Sequence, residues 1–176
     1  MAGTGSLYHK TQPTSTNYLY PNYFNFRLMK LPSTNFTLQS ANVPGVSLGR
    51  LDQPNPAHGA PLQGDRMFFG DFACSFLILE DMSNYIEIWE WMAQITNHDK
   101  QFPYAGLRDQ QAGAGKGLYS DATLFIMNSA KKPIKQIQFT QMFPIQLSDL
   151  MFDTQADGSQ YVKAQCTFSF KDYRIE

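Results

Sequence analysis

Three histidines, His9, His58 and His98, are the first place to look for a metal site or a general base. None has a cysteine, a second histidine or an acidic residue at ligand spacing, so each reads as an ordinary surface histidine. Gly113-Ala114-Gly115-Lys116-Gly117 resembles a phosphate-binding loop at first sight. That chemistry needs a glycine five residues before Gly115, where Gln110 stands, and Ser or Thr after the lysine, where Gly117 stands. We read the segment as a link between elements. Glu80-Asp81 and Glu87 with Glu90 are acidic pairs, but a glycosidase needs two carboxylates flanking a cleft. Here they fall at the start and on the polar face of a predicted helix, where they favour its dipole and its solubility. No Gly-x-Ser-x-Gly elbow occurs. Asn35-Phe36-Thr37 fits a glycosylation acceptor, yet no secretory route accompanies it. Cys74 and Cys166 lie inside alternating apolar runs and read as small core residues, not as a disulfide framework. No nucleophile, base or ligand set assembles, so the sequence predicts a non-enzymatic chain with no cofactor and no metal.

The elements that hold these residues are mostly strands. At 176 residues the chain reads as one domain, and it is rich in aromatic core material, with 14 Phe, 9 Tyr and 2 Trp. Its net charge of −1 lacks the basic excess of a duplex-DNA binder and leaves little repulsion between copies. No apolar run reaches the roughly 18 residues of a membrane span, and Met1 to Thr16 carries no apolar leader stretch.

Residues 1–21 are polar and read as an N-terminal arm, with Tyr8, Tyr18, Leu19 and Tyr20 available for burial on a neighbour. A domain is expected over 22–176. Phe24, Phe26 and Leu28 share one face of a strand, and Asn35 to Asn42 continues the pattern with Phe36 and Leu38 inward. Residues 51–66 carry Pro54, Pro56, Pro61, Gly59 and Gly64, so a long excursion from the sheet is expected there. Met67 to Leu79 gives the strongest strand signal, apolar on both faces. One helix follows, with Tyr85, Ile88, Trp89, Met92 and Ile95 as its apolar stripe. That stripe directs Trp89 to the core and Trp91 to an interface. Residues 102–120 read as a loop and 121–127 as a strand. Ile134 to Phe143 is a strand that Pro144 interrupts, and Asp157-Gly158 is a hairpin signal. Tyr161 to Tyr173 is the closing strand, with Val162, Ala164, Cys166, Phe168 and Phe170 inward. The sum is about seven or eight strands in a β-sandwich or barrel with one flanking helix.

The order of elements resembles one family. An aromatic strand leads to Asn42-Val43-Pro44-Gly45, then the Pro/Gly-rich excursion, then Phe76-Leu77-Ile78-Leu79-Glu80-Asp81. Asn84-Tyr85-Ile86-Glu87-Ile88-Trp89-Glu90-Trp91-Met92 follows, and later Asp121-Ala122-Thr123-Leu124 and Phe139 to Ser148. Phe168-Ser169-Phe170-Lys171-Asp172-Tyr173 comes last. Over residues 22–176 this is similar to the tail tube proteins of contractile phages and their baseplate tube-initiator relatives.

The resemblance implies hexameric rings stacked into a hollow tube, with sheets of neighbouring subunits joined around the DNA path. It implies as partners other copies of the chain, adjacent tube or baseplate rings, and sheath or baseplate proteins outside. DNA and the tape measure protein would pass through the lumen without specific binding, and no membrane is involved. The site would be a virion tail, assembled in the host cytoplasm. Interface residues are expected at Tyr18 and Tyr20 in the arm, at Leu51, Pro54, Pro56, His58, Pro61 and Arg66 in the excursion, and at Trp91. A carbohydrate-binding β-sandwich module of a phage fibre is the alternative reading.

Overall fold

The computed structural model of the chain describes residues 17–54, 59–96, 117–153 and 161–176. Among these are nine strands and two helices: β1 (Phe24–Leu28), α1 (Pro32–Thr37), β2 (Leu38–Ala41), β3 (Val46–Gln53), β4 (Ala60–Phe69), β5 (Phe72–Leu77), α2 (Ser83–Thr96), β6 (Ser120–Met127), β7 (Pro133–Leu147), β8 (Lys163–Ser169) and β9 (Asp172–Ile175). The mainly β architecture with a flanking helix is as expected.

β7 organises the fold. Its first half pairs with β6 and β9, and its second half pairs with β8. Two four-stranded antiparallel halves result, β1-β6-β7-β9 and β7-β8-β5-β2, sharing one strand. The change of partner occurs at Gln141, whose backbone takes the left-handed region (φ 53). That conformation is uncommon away from glycine. Asp121 Oδ1 accepts a hydrogen bond from the Gln141 N–H at 3.0 Å, so the bend is held from the neighbouring strand. Pro144 does not interrupt the strand as expected. It lies opposite Phe168 beside a register shift, with Ile145 the unpaired extra residue, and a bulge is where a strand tolerates proline.

The core lies between the two halves. Phe72, Cys74 and Phe76 of β5 and Ala164, Cys166 and Phe168 of β8 are buried, as their alternation requires. From the other half come Phe26, Leu28, Ala122, Leu124, Ile137 and Phe139. Phe26 stacks on Phe72 across the sandwich at 4.9 Å between centroids, and Phe139 meets Phe72 at 5.2 Å. Cys74 and Cys166 are cross-strand partners with free, buried thiols. Burial pushes the Cys74 thiol up to about 12, and it raises Cys166 further. Both are therefore unreactive core residues.

Three expected elements are revised. Asn35 to Asn42 is not one strand: residues 32–37 are the short helix α1, begun by a proline whose fixed φ suits the first helical position. Asn35 then bridges to β1, its Oδ1 accepting from Leu28 N–H at 2.9 Å and its Nδ2 donating to Leu28 O at 3.0 Å. Met67 to Leu79 is divided, with Met67 to Phe69 ending β4 and β5 beginning at Phe72. The closing strand is also two, β8 and β9, separated at Phe170-Lys171 where the chain crosses from one half to the other. The loop signal at 102–116 and the Asp157-Gly158 turn lie outside the described residues.

Candidate assembly interface

The excursion is not a loop. β3 and β4 form their own two-stranded sheet, a hairpin standing apart from the sandwich. In a two-stranded ribbon each strand is an edge, so Pro61, paired opposite Asp52, costs no ladder hydrogen bond that a neighbour needs. A register shift between Leu48 and Arg50 brings the two backbones very close. A Cβ on Gly64 would stand 2.5 Å from Gly49 O, so this crossing requires glycine. At its base the hairpin is anchored: Phe69 packs on Tyr173 at 5.2 Å and Phe170 at 6.0 Å, and Tyr173 Oη donates to Pro44 O at 3.2 Å. Beyond the base it is solvated, yet Leu48, Leu51, Leu62, Met67 and Phe68 all stand exposed on it. An apolar surface of this kind is a candidate contact site.

Helix α2 closes one side of the sandwich, and its facing is the reverse of the expectation. Trp91 is buried, 1% exposed, while Trp89 is 51% exposed. The Trp91 indole N–H donates to Leu118 O at 3.0 Å, its ring meets Phe168 at 6.1 Å, and the Lys30 ammonium sits 5.0 Å above it. The physical reason is Asn84, a fully buried polar residue that leads the inward stripe. Its Nδ2 donates to Leu77 O at 2.7 Å and Thr37 Oγ1 at 3.0 Å, and its Oδ1 accepts from Leu79 N–H at 3.3 Å. The inward face therefore runs through Asn84, Ile88 and Trp91. Trp91 is withdrawn as an interface residue. Ile86 and Trp89, three residues apart, form the exposed apolar pair instead.

Of the other expected interface residues, Tyr18 and Tyr20 are exposed, and Tyr20 touches Tyr23 edge-on at 6.0 Å. Leu51, Pro54, Pro61 and Arg66 are exposed on the hairpin. Pro56 and His58 lie outside the described residues. Leu48, Leu62, Met67, Phe68, Ile86 and Trp89 are exposed apolar residues outside that expectation. Apolar alternation gives no sign that the first four face away from the core, and the helix stripe, counted by hydrophobicity, turned Trp89 inward.

The half-sheets have free edges. Among the described strands, β1, β2 and β9 each pair on one side only, and the Phe143–Leu147 half of β7 pairs only with β8. Unpaired backbone donors and acceptors along an edge are a template for another strand.

The described residues thus form a β-sandwich with open edges, an exposed apolar hairpin and a second exposed apolar pair. The chain belongs to the phage tail tube protein family, whose model matches residues 13–176. Among curated proteins none matches it. Solved structures share the fold. The tube-terminating cap of the anti-feeding prophage is 12% identical over 97% of this chain and 99% of its own, with a TM-score of 0.65. The sheath/tube terminator of the PVC extracellular contractile injection system is 12% identical, covering 92% and 99%, with a TM-score of 0.62. A chain of the anti-feeding prophage baseplate is 11% identical, covering 92% and 97%, with a TM-score of 0.60.

Proposed function

We propose that the chain builds a hexameric ring of a phage inner tail tube, or of its baseplate tube-initiator end, leaving a channel for DNA. The observation that carries this reading is the pair of half-sheets with unpaired edges in a member of the tail tube family. One repeated head-to-tail contact between such edges closes a ring. Residues 22–176 form the ring domain and 1–21 the arm. The exposed hairpin and the arm, through Tyr18 and Tyr20, reach neighbouring subunits or the next ring. Trp89 and Ile86 join these contacts in place of Trp91. Sheath or baseplate proteins cover the outside, and DNA and the tape measure protein occupy the lumen without specific binding. Assembly takes place in the host cytoplasm and the product resides in the virion tail. Negative-stain imaging of the purified protein tests the proposal. Rings or stacks of rings are expected; dispersed monomers at every concentration would overturn it.

A further inference from the structure

The free edge of β1 borders a groove of about 800 Å³, walled on its far side by α1 and the start of β2. Phe24, Phe26 and Leu38 give it an apolar lining, and Asn25, Asn35 and Phe125 stand at its rim. Among the described strands β1 pairs only with β6 and β2 only with β5, so both half-sheets end here.

The direction of the β1 backbone groups follows from its first bond. Met127 N–H donates to Tyr23 O at 2.9 Å, so Tyr23 turns its backbone toward β6. In an antiparallel ladder such residues alternate with residues that turn both groups away. Asn25 and Arg27 therefore face β6, while Phe24, Phe26 and Leu28 present N–H and C=O to the groove. Leu28 agrees with this phase, since both its groups are taken by the Asn35 side chain, at 2.9 and 3.0 Å. Asn35 stands where a residue of a further strand would stand and closes the edge at that point. No side chain among the described residues does the same for Phe24 or Phe26, so their N–H and C=O groups form an open docking edge above apolar side chains.

We infer that this groove takes the N-terminal arm of a neighbouring copy, added to β1 as a short strand. The inference deepens the arm contact proposed above and rests on it. Arm residues 17–20 lie against Met127, Asn128, Ser129 and Ile134, at the turn between β6 and β7. β6 flanks the other edge of β1, so each arm leaves its own domain on the side away from its own groove. Donor and acceptor on opposite sides make one repeated head-to-tail contact. Leu7 lies ten residues before Asn17, an extended reach of up to about 33 Å, which crosses onto the adjoining face of a contacting copy. Leu7 is also the one leucine, isoleucine or valine in residues 1–16. Opposite Phe24 or Phe26 it covers the apolar lining, and Tyr8 then falls on the other face beside Asn25 and Phe125. Main-chain bonds to the two phenylalanines hold the strand, and Asn35 limits its length.

Tyr8→Cys and Asn25→Cys, made separately and mixed before assembly, test the contact with a short bismaleimide, since the native thiols are buried. Mixed covalent dimers in assembled particles, with none in dilute free subunit, are the expected result. Rings without mixed dimers would overturn the inference and leave the ring proposal standing. Linkage within a single chain of the Tyr8→Cys/Asn25→Cys double variant would also overturn it, by returning the arm to its own domain. Hydrogen exchange needs no substitution: the Phe24 and Phe26 amides of wild-type protein should slow by at least about tenfold on assembly. Unchanged exchange in rings would overturn the inference. Removing residues 2–16 should restore fast exchange or abolish the rings, and rings that keep both amides protected without the arm would give the edge to another strand and overturn it. Wild-type protein that forms no rings overturns the ring proposal and this inference together.

Discussion

Two tryptophans on one helix show how a single polar residue redirects a surface. Residues two apart on a helix point about 200° away from each other, so only one of Trp89 and Trp91 can face the core. The buried Asn84 amide, bonded to Leu77 and Leu79 at the end of β5 and to Thr37 of α1, decides for Trp91. Trp91→Ala is expected to cost ~3–5 kcal/mol, the range for deleting a large buried aromatic, and to unfold much of the protein. Trp89→Ala should leave the melting temperature of the subunit nearly unchanged and weaken ring formation, measured by sedimentation. The reverse outcome would return Trp91 to the interface. Lys30 offers a second measurement. Burial lowers its ammonium pKa to about 8, and its Nζ donates to Gly117 O above the Trp91 ring. Between about 8 and the ordinary value of 10.5 the unfolded chain binds more protons at this position than the folded one. Stability contributed by this group therefore rises with pH across that window, and it is lost as pH falls through the folded pKa. Lys30→Met should flatten the denaturation midpoint against pH over this range. An unchanged slope in the variant would mean that another group is responsible.

The hairpin β3–β4 is where element-scale reasoning meets its clearest test. Deleting Asp52–Ala60 should leave a folded subunit, because the core residues lie in the sandwich, and should prevent polymerisation. Normal stacks from the deletion variant would remove the hairpin from the assembly interface. A subtler variant is Gly64→Ala, whose added methyl meets Gly49 O at 2.5 Å and must push the strands apart. Gly49→Ala meets its nearest neighbour at 3.5 Å and is the tolerated control. If both assemble alike, the strand crossing has no part in contact geometry. How much of this was legible depends on where the signal is local. β5 and β8 were readable because Phe72, Cys74, Phe76 and Ala164, Cys166, Phe168 alternate with small or polar residues, and period two is a property of a single strand. The hairpin was not, because Pro54, Pro56 and Pro61 announce a loop, and only the ribbon pairing shows that Pro54 directly follows β3 and that Pro61 lies within β4 at an edge. The six-residue α1 was hidden because residues 35–42 also fit an alternating pattern. The facing of α2 was misread because a stripe counted by hydrophobicity omits Asn84. Exposure of Leu48, Met67 and Phe68 was invisible for a different reason: apolar alternation is the same in a strand whether its partner is the core or another copy.

At the scale of the whole molecule, the proposed ring has the arm and the open edges tie the subunit to its neighbours. Tyr18 is 90% exposed and Leu19 and Tyr20 stand beside it, all three good sites for chymotrypsin. Free subunit should be cut there within minutes of digestion, while assembled particles protect the same bonds. Equal cleavage in both states would show that the arm takes no part in assembly. The shared strand β7 has a consequence for how the protein comes apart. A sandwich of two separate sheets can lose one and keep the other as an intermediate. Here the 15 continuous residues of β7 run from one half-sheet into the other, with no hinge loop between them. Loss of β8 from Phe143–Leu147 strips the same strand whose other half holds β6 and β9. Neither sheet survives the loss of the other, so melting should be a single cooperative event, with far-UV and tryptophan fluorescence transitions superimposed.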